Sequence, residues 1–163
     1  MIFGTDLLTN LHVLITLVGI VSGLVVLGAL TRGALPRGWN AVFLVFTILT
    51  SATGFAFFPN NHPVSPAQIV GAILLADLAL ALYALYGRRL AGGWRATYVV
   101  TATIALYFNV FVLVAQLFQK LPPLNGQPPI TGGPLFGTAQ GVVLLFFVAM
   151  GWLAVKRFRP LFG

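Results

Sequence analysis

Five long apolar runs, separated by short segments that carry nearly all of the charge, organise this chain. A membrane-spanning helix needs about 20 predominantly apolar residues, and that measure places spans at about 12–30, 40–58, 67–86, 96–118 and 136–155. The pattern predicts a single all-α domain over residues 1–163, a polytopic membrane bundle of five transmembrane helices. The first run resembles a signal peptide only superficially. No basic segment precedes it, it exceeds the usual 7 to 15 apolar residues, and Arg32 and Arg37 follow it, so it is expected to be retained.

Composition agrees with the pattern. The chain is 59% hydrophobic and 7% charged, against roughly 45–50% and about 25% in soluble domains. Nine basic and two acidic residues are a balance that nucleic-acid binders share, but such a protein gathers its bases on one solvated face, whereas here they punctuate apolar runs. No nucleic-acid partner is expected. The absence of cysteine excludes disulfides, thiolate metal sites and a cysteine nucleophile.

The bases fall in alternate loops: Arg32 and Arg37; Arg88, Arg89 and Arg95; Lys156, Arg157 and Arg159. The opposite side carries only Lys120. By the positive-inside rule the amino terminus lies outside and the carboxyl terminus in the cytoplasm. Trp39, Trp94 and Trp152 stand beside the basic loops, as interfacial anchors do. The other long connection, Gln119 to Leu135, holds five prolines and three glycines and is expected to be irregular. Five spans cannot divide into equal inverted halves, which argues against a secondary-transporter fold.

One carboxyl interrupts the third span. Asp77 lies near its midpoint, where a charge costs at least about 2.5–3.5 kcal/mol. Thr47, Thr50 and Ser51 of the second span and Tyr107 and Asn109 of the fourth fall at similar depth. No cation does, so Asp77 is expected to be protonated and to donate to one of these groups or to a backbone carbonyl. The functional reading is a proton-relay or cofactor-binding carboxyl. The structural one is an interhelical hydrogen bond, and a lone ionisable group favours it, because proton paths use several.

His12 and His62 share the side opposite the bases, with Asp6, Gln68, Gln116, Gln119 and Gln140 near the same interface. Two imidazoles can ligate haem iron axially, and Asp6 as a third ligand would suit zinc or copper. Interfacial loop capping is the competing role, since neither histidine lies deep. "GIVSG" sets Gly19, Ser22 and Gly23 on one stripe, the small-residue geometry of close helix packing. Its partner is a helix of this chain or another subunit. The 14 phenylalanines suit lipid contact and gap filling, and also a hydrophobic pigment or quinone. No nucleophile stands with a base, and no second acid stands with Asp77, so enzymatic activity is not expected.

The strings "GIVSGLVVLGAL", "LTSATGF", "GGWRATYVV" and "ALYFNVFVLVAQLFQKLPPL" resemble a group of small multi-spanning bacterial inner-membrane proteins. The likeness covers most of the chain and implies that the histidine-bearing side is periplasmic. No activity is attached to that group, so no functional residue is carried over. Three roles stay open: an accessory or scaffold subunit packing against a larger membrane complex or hydrophobic molecules; a haem or metal protein using His12 and His62; and a small proton-coupled carrier or channel using Asp77.

Overall fold

The computed structural model describes residues 7–56, 66–120 and 133–159, and their regular structure is entirely helical. The elements are α1 (Leu7–Leu30), α2 (Arg37–Ala56), α3 (Pro66–Leu82), α4 (Trp94–Lys120) and α5 (Pro134–Arg157). Each predicted span has its helix. Five helices are long and apolar enough to cross a membrane.

Local chemistry sets the ends. Pro134 opens α5, where its missing N–H is no loss. After α1, the Ala34 N–H bonds Ala29 O and the Gly33 N–H bonds Leu30 O, with Gly33 at φ +84°. That is a glycine cap of the kind that closes helix ends in the left-handed region. The last turn of α3 widens into a π-helical turn, Tyr83–Gly87, and Arg89 and Leu90 then adopt positive φ of 49° and 60°. This irregular corner delivers the chain to α4.

Helix contacts define the architecture. α1 packs on α2, α2 on α3, α3 on α4 and α4 back on α1, so four helices close a ring, while α5 lies on the seam between α1 and α4. Consistent with that arrangement, 44% of the α4 span is enclosed, against 22% for α3 and for α5. The outer faces of α3 and α5 expose Ile69, Ile73, Leu80, Val142, Leu145 and Val148.

The ring is tightest along α1. Ser22 is fully enclosed, and its hydroxyl donates to Val18 O at 2.7 Å within α1. A Cβ on Gly19 would lie 3.5 Å from Thr47 Oγ1; one on Gly23 would lie 2.6 Å from Leu106 Cδ1 and 2.8 Å from the Phe43 ring. The small-residue stripe is therefore occupied by α2 and α4 of the same chain.

At the end that carries most of the arginines, polar groups tie the helices together. Arg95 donates to the carbonyls of Val155 (2.9 Å) and Phe158, capping the end of α5. The Tyr98 hydroxyl donates to Asn40 Oδ1, joining α4 to α2. Lys156 stands 3.7 Å over the Trp152 ring, a cation–π contact at the α5 terminus.

Gly23→Ala is expected to destabilise the protein by about 1–3 kcal/mol through overpacking against Phe43 and Leu106. Gly28→Ala, where no neighbour lies within 4 Å, is expected to be neutral or stabilising by up to ~1 kcal/mol through helix propensity. Denaturation of both variants in one detergent checks the contrast.

Candidate functional site

The polar residues of the ring collect at the end opposite the arginines. There α1, α2, α3 and α4 line a partly open cavity of about 90 Å³ whose polar lining is His12, Thr16, Thr50, Ser51, Gln68 and Asn109. Apolar side chains complete the wall, among them Phe55, Leu74 and Phe108. Two glycines make the space. Nothing approaches the missing Cβ of Gly54 closer than His12 Cε1 at 3.9 Å, and the end of the Phe55 ring lies 3.3 Å from that of Gly71.

The hydroxyls of this wall follow a helix rule. Threonine and serine inside helices donate to the carbonyl three or four residues back, and three of the wall do so: Thr16 to His12 O (2.9 Å), Thr50 to Phe46 O (2.9 Å) and Ser51 to Thr47 O (3.1 Å), as does Thr53, which lies outside the wall, to Leu49 O (2.7 Å). Each spends its only proton on its own backbone. What remains on each oxygen is accepting capacity.

That bookkeeping fixes the tautomer of His12. Its Nδ1 lies 2.7 Å from Thr53 Oγ1, and a carbonyl such as Leu49 O can only accept, so the Thr53 proton is committed to it. Nδ1 therefore carries the proton of this bond, and in a neutral ring Nε2 is the basic nitrogen. Asn109 is 3% exposed and donates from Nδ2 to Thr47 Oγ1 at a long 3.4 Å. No other hydrogen bond of its amide is found among the described residues.

Asp77 does not join this site. The partners expected from depth are engaged elsewhere: Thr50 with its own helix, Thr47 with Asn109, and Tyr107 against Phe111 (6.0 Å) and Phe147 (5.9 Å) on the α5 side of α4. The Asp77 hydrogen bond to Thr47, Thr50, Tyr107 or Asn109 is thus corrected. Depth along a helix matched, but direction around it did not. Asp77 is half-buried on α3, and its Oδ2 is enclosed with no hydrogen-bond partner.

The expected outer polar group also divides. Gln68 lines the cavity with His12, while Gln116 and Gln119 are exposed. Gln140 is buried between helices, where its Nε2 donates to Phe111 O at 3.0 Å and its Oε1 has no partner. His62 and Asp6, the other proposed metal or haem ligands, lie outside the described residues. Among the described residues no three His, Cys, Asp or Glu side chains gather as a metal site. Thr16, Thr53 and Gly54 were not singled out by sequence. The spacing of Thr50, Thr53 and Gly54 along one side of α2 is the signal that could have found the latter two.

Compared with protein-family models, curated proteins and solved structures, the chain matches none. Function is argued from its own geometry.

Neutral His12 is expected as the Nδ1–H tautomer, read from imidazole ¹⁵N shifts of labelled protein. Thr53→Val removes the acceptor and is expected to release that bias; unchanged shifts in the variant would contradict the assignment.

Proposed function

We propose that the chain is a non-enzymatic protein of the bacterial inner membrane, amino terminus outside and carboxyl terminus in the cytoplasm, that acts by binding. Alternating basic loops and the flanking tryptophans support that placement. Its role is that of an accessory subunit that holds a small amphipathic molecule within a larger membrane assembly. The four-helix cavity carries this reading, since it joins a polar wall to apolar side chains.

A second reading has its own observation. Unpaired Asp77 Oδ2 sits on α3, which exposes an apolar face, and burying a polar atom without a partner costs about 1–3 kcal/mol. A neighbouring subunit would pack on the exposed apolar face of α3, with Ile69, Ile73 and Leu80, and cover Asp77 without reaching the enclosed Oδ2. The haem or metal role keeps one supporting feature, the imidazole of His12 in the cavity wall.

Native purification separates these roles. Mass spectrometry of material extracted in mild detergent is expected to find a small molecule that the cavity-filling Gly54→Leu variant lacks. A monodisperse protein with neither a bound molecule nor a crosslinked partner would overturn the binding role. A Soret band or stoichiometric metal lost in His12→Ala would transfer the role to a cofactor, and liposome flux abolished by Asp77→Asn would make the protein a carrier.

A further inference from the structure

The cavity has a chemical polarity as well as a location. Thr16, Thr50 and Ser51 each line it, and each has committed its hydroxyl proton to a backbone carbonyl of its own helix. From these three side chains a guest meets lone pairs only. Asn109, 97% enclosed by its 3% exposure, adds a carboxamide with one long hydrogen bond made. A guest that could only accept would have to draw on the carboxamide N–H groups of Asn109 or Gln68 and would leave the three hydroxyl oxygens facing its own lone pairs, whereas a donor satisfies those oxygens.

Charge and size narrow the class. Among the described residues no Asp, Glu, Lys or Arg lines the cavity, and an unpaired charge buried against such a wall is heavily penalised, so these residues favour a neutral guest. At about 90 Å³ the space is smaller than the roughly 150 Å³ cavity that encloses benzene. Its recess takes a hydroxyl and a few carbons, and the remainder of a longer molecule extends through its open side. The apolar part of the wall, including Phe55, Leu74, Phe108 and Val112, then meets the carbons next to that head.

We infer that the cavity takes the hydroxyl head of a lipid-soluble, straight-chain alcohol, recognised as a hydrogen-bond donor by the oxygens of Thr16, Thr50 and Ser51. This rests on the binding role proposed above and names its ligand class. Discrimination comes from proton supply: an alcohol donates to the wall, while its methyl ether has the same chain and oxygen but nothing to donate.

The test uses the whole protein, ¹⁵N-labelled, in nanodiscs of phosphatidylcholine and phosphatidylglycerol, titrated with 1-decanol and with decyl methyl ether. The Asn109 carboxamide and His12 imidazole resonances are followed. Decanol is expected to shift them saturably, with the ether about tenfold weaker, the scale of one net hydrogen bond. The double variant Thr50→Val/Ser51→Ala, which leaves the helix backbone bonds in place, is expected to lose the discrimination. Equal affinities for the two probes, or discrimination unchanged in that variant, would overturn the donor assignment and leave the binding role standing. No saturable shift from either probe would overturn the alcohol as ligand class, and the binding role then stands or falls on the mass spectrum of natively purified protein.

Discussion

The approach of α1 to α2 and α4 at Gly19, Ser22 and Gly23 is the contact on which the bundle depends. Without a Cβ at Gly23, Leu106 and the Phe43 ring occupy the space a side chain would fill. That contact draws α4 back against α1 and closes the ring, and the seam it creates is where α5 lies. In hydrocarbon, where apolar surface gains little from leaving its surroundings, such close packing is a main source of helix association. Glycine serves the opposite purpose nearer the other end. At Gly54 no neighbour moves in, and the absent side chain becomes cavity volume.

Polar groups in a bundle this apolar must be satisfied from within. The hydroxyls solve the problem locally by donating to their own helices, a solution open to any Thr or Ser and independent of tertiary structure. Carboxamides cannot satisfy both their donor and acceptor sides this way. Asn109 reaches Thr47 across the ring, and Gln140 reaches the Phe111 carbonyl across the α4–α5 seam. Asp77 and Gln140 each keep one enclosed oxygen without a partner. Such atoms are expensive, and both are enclosed, so a molecule outside the bundle does not reach them.

Helix number and limits were legible because hydropathy is a one-dimensional signal that the chain carries directly. The spans read as 40–58 and 96–118 became Arg37–Ala56 and Trp94–Lys120, with shifts of a few residues at ends where caps decide. The site was half legible. Sequence placed His12 and Gln68 at one end and Thr50 and Asn109 in facing helices, and all four line the cavity. It joined Asp77 to the wrong group, because residue count gives depth but not the azimuth that turns Tyr107 toward Phe147. The bond between His12 and Thr53 spans 41 positions, and no local pattern announces it.

The distribution of charge and the chemistry of the cavity fit one account. Eight of nine bases lie at or beyond the opposite helix ends, in the loops after α1 and α3 and at the end of α5. There Arg95 closes the last carbonyls of α5, and Tyr98 bonds Asn40. That end is fastened by polar contacts between helices. At the cavity end the described residues join helices differently: His12 bonds Thr53 between α1 and α2 at 2.7 Å, and Asn109 reaches Thr47 between α4 and α2 at 3.4 Å. The hydroxyls of the wall bond their own backbones, so their accepting oxygens are held in place by the helices that carry them. With polar contacts at both ends of the bundle, the site lies where those contacts leave accepting oxygens unspent, and such a wall selects by hydrogen bonding.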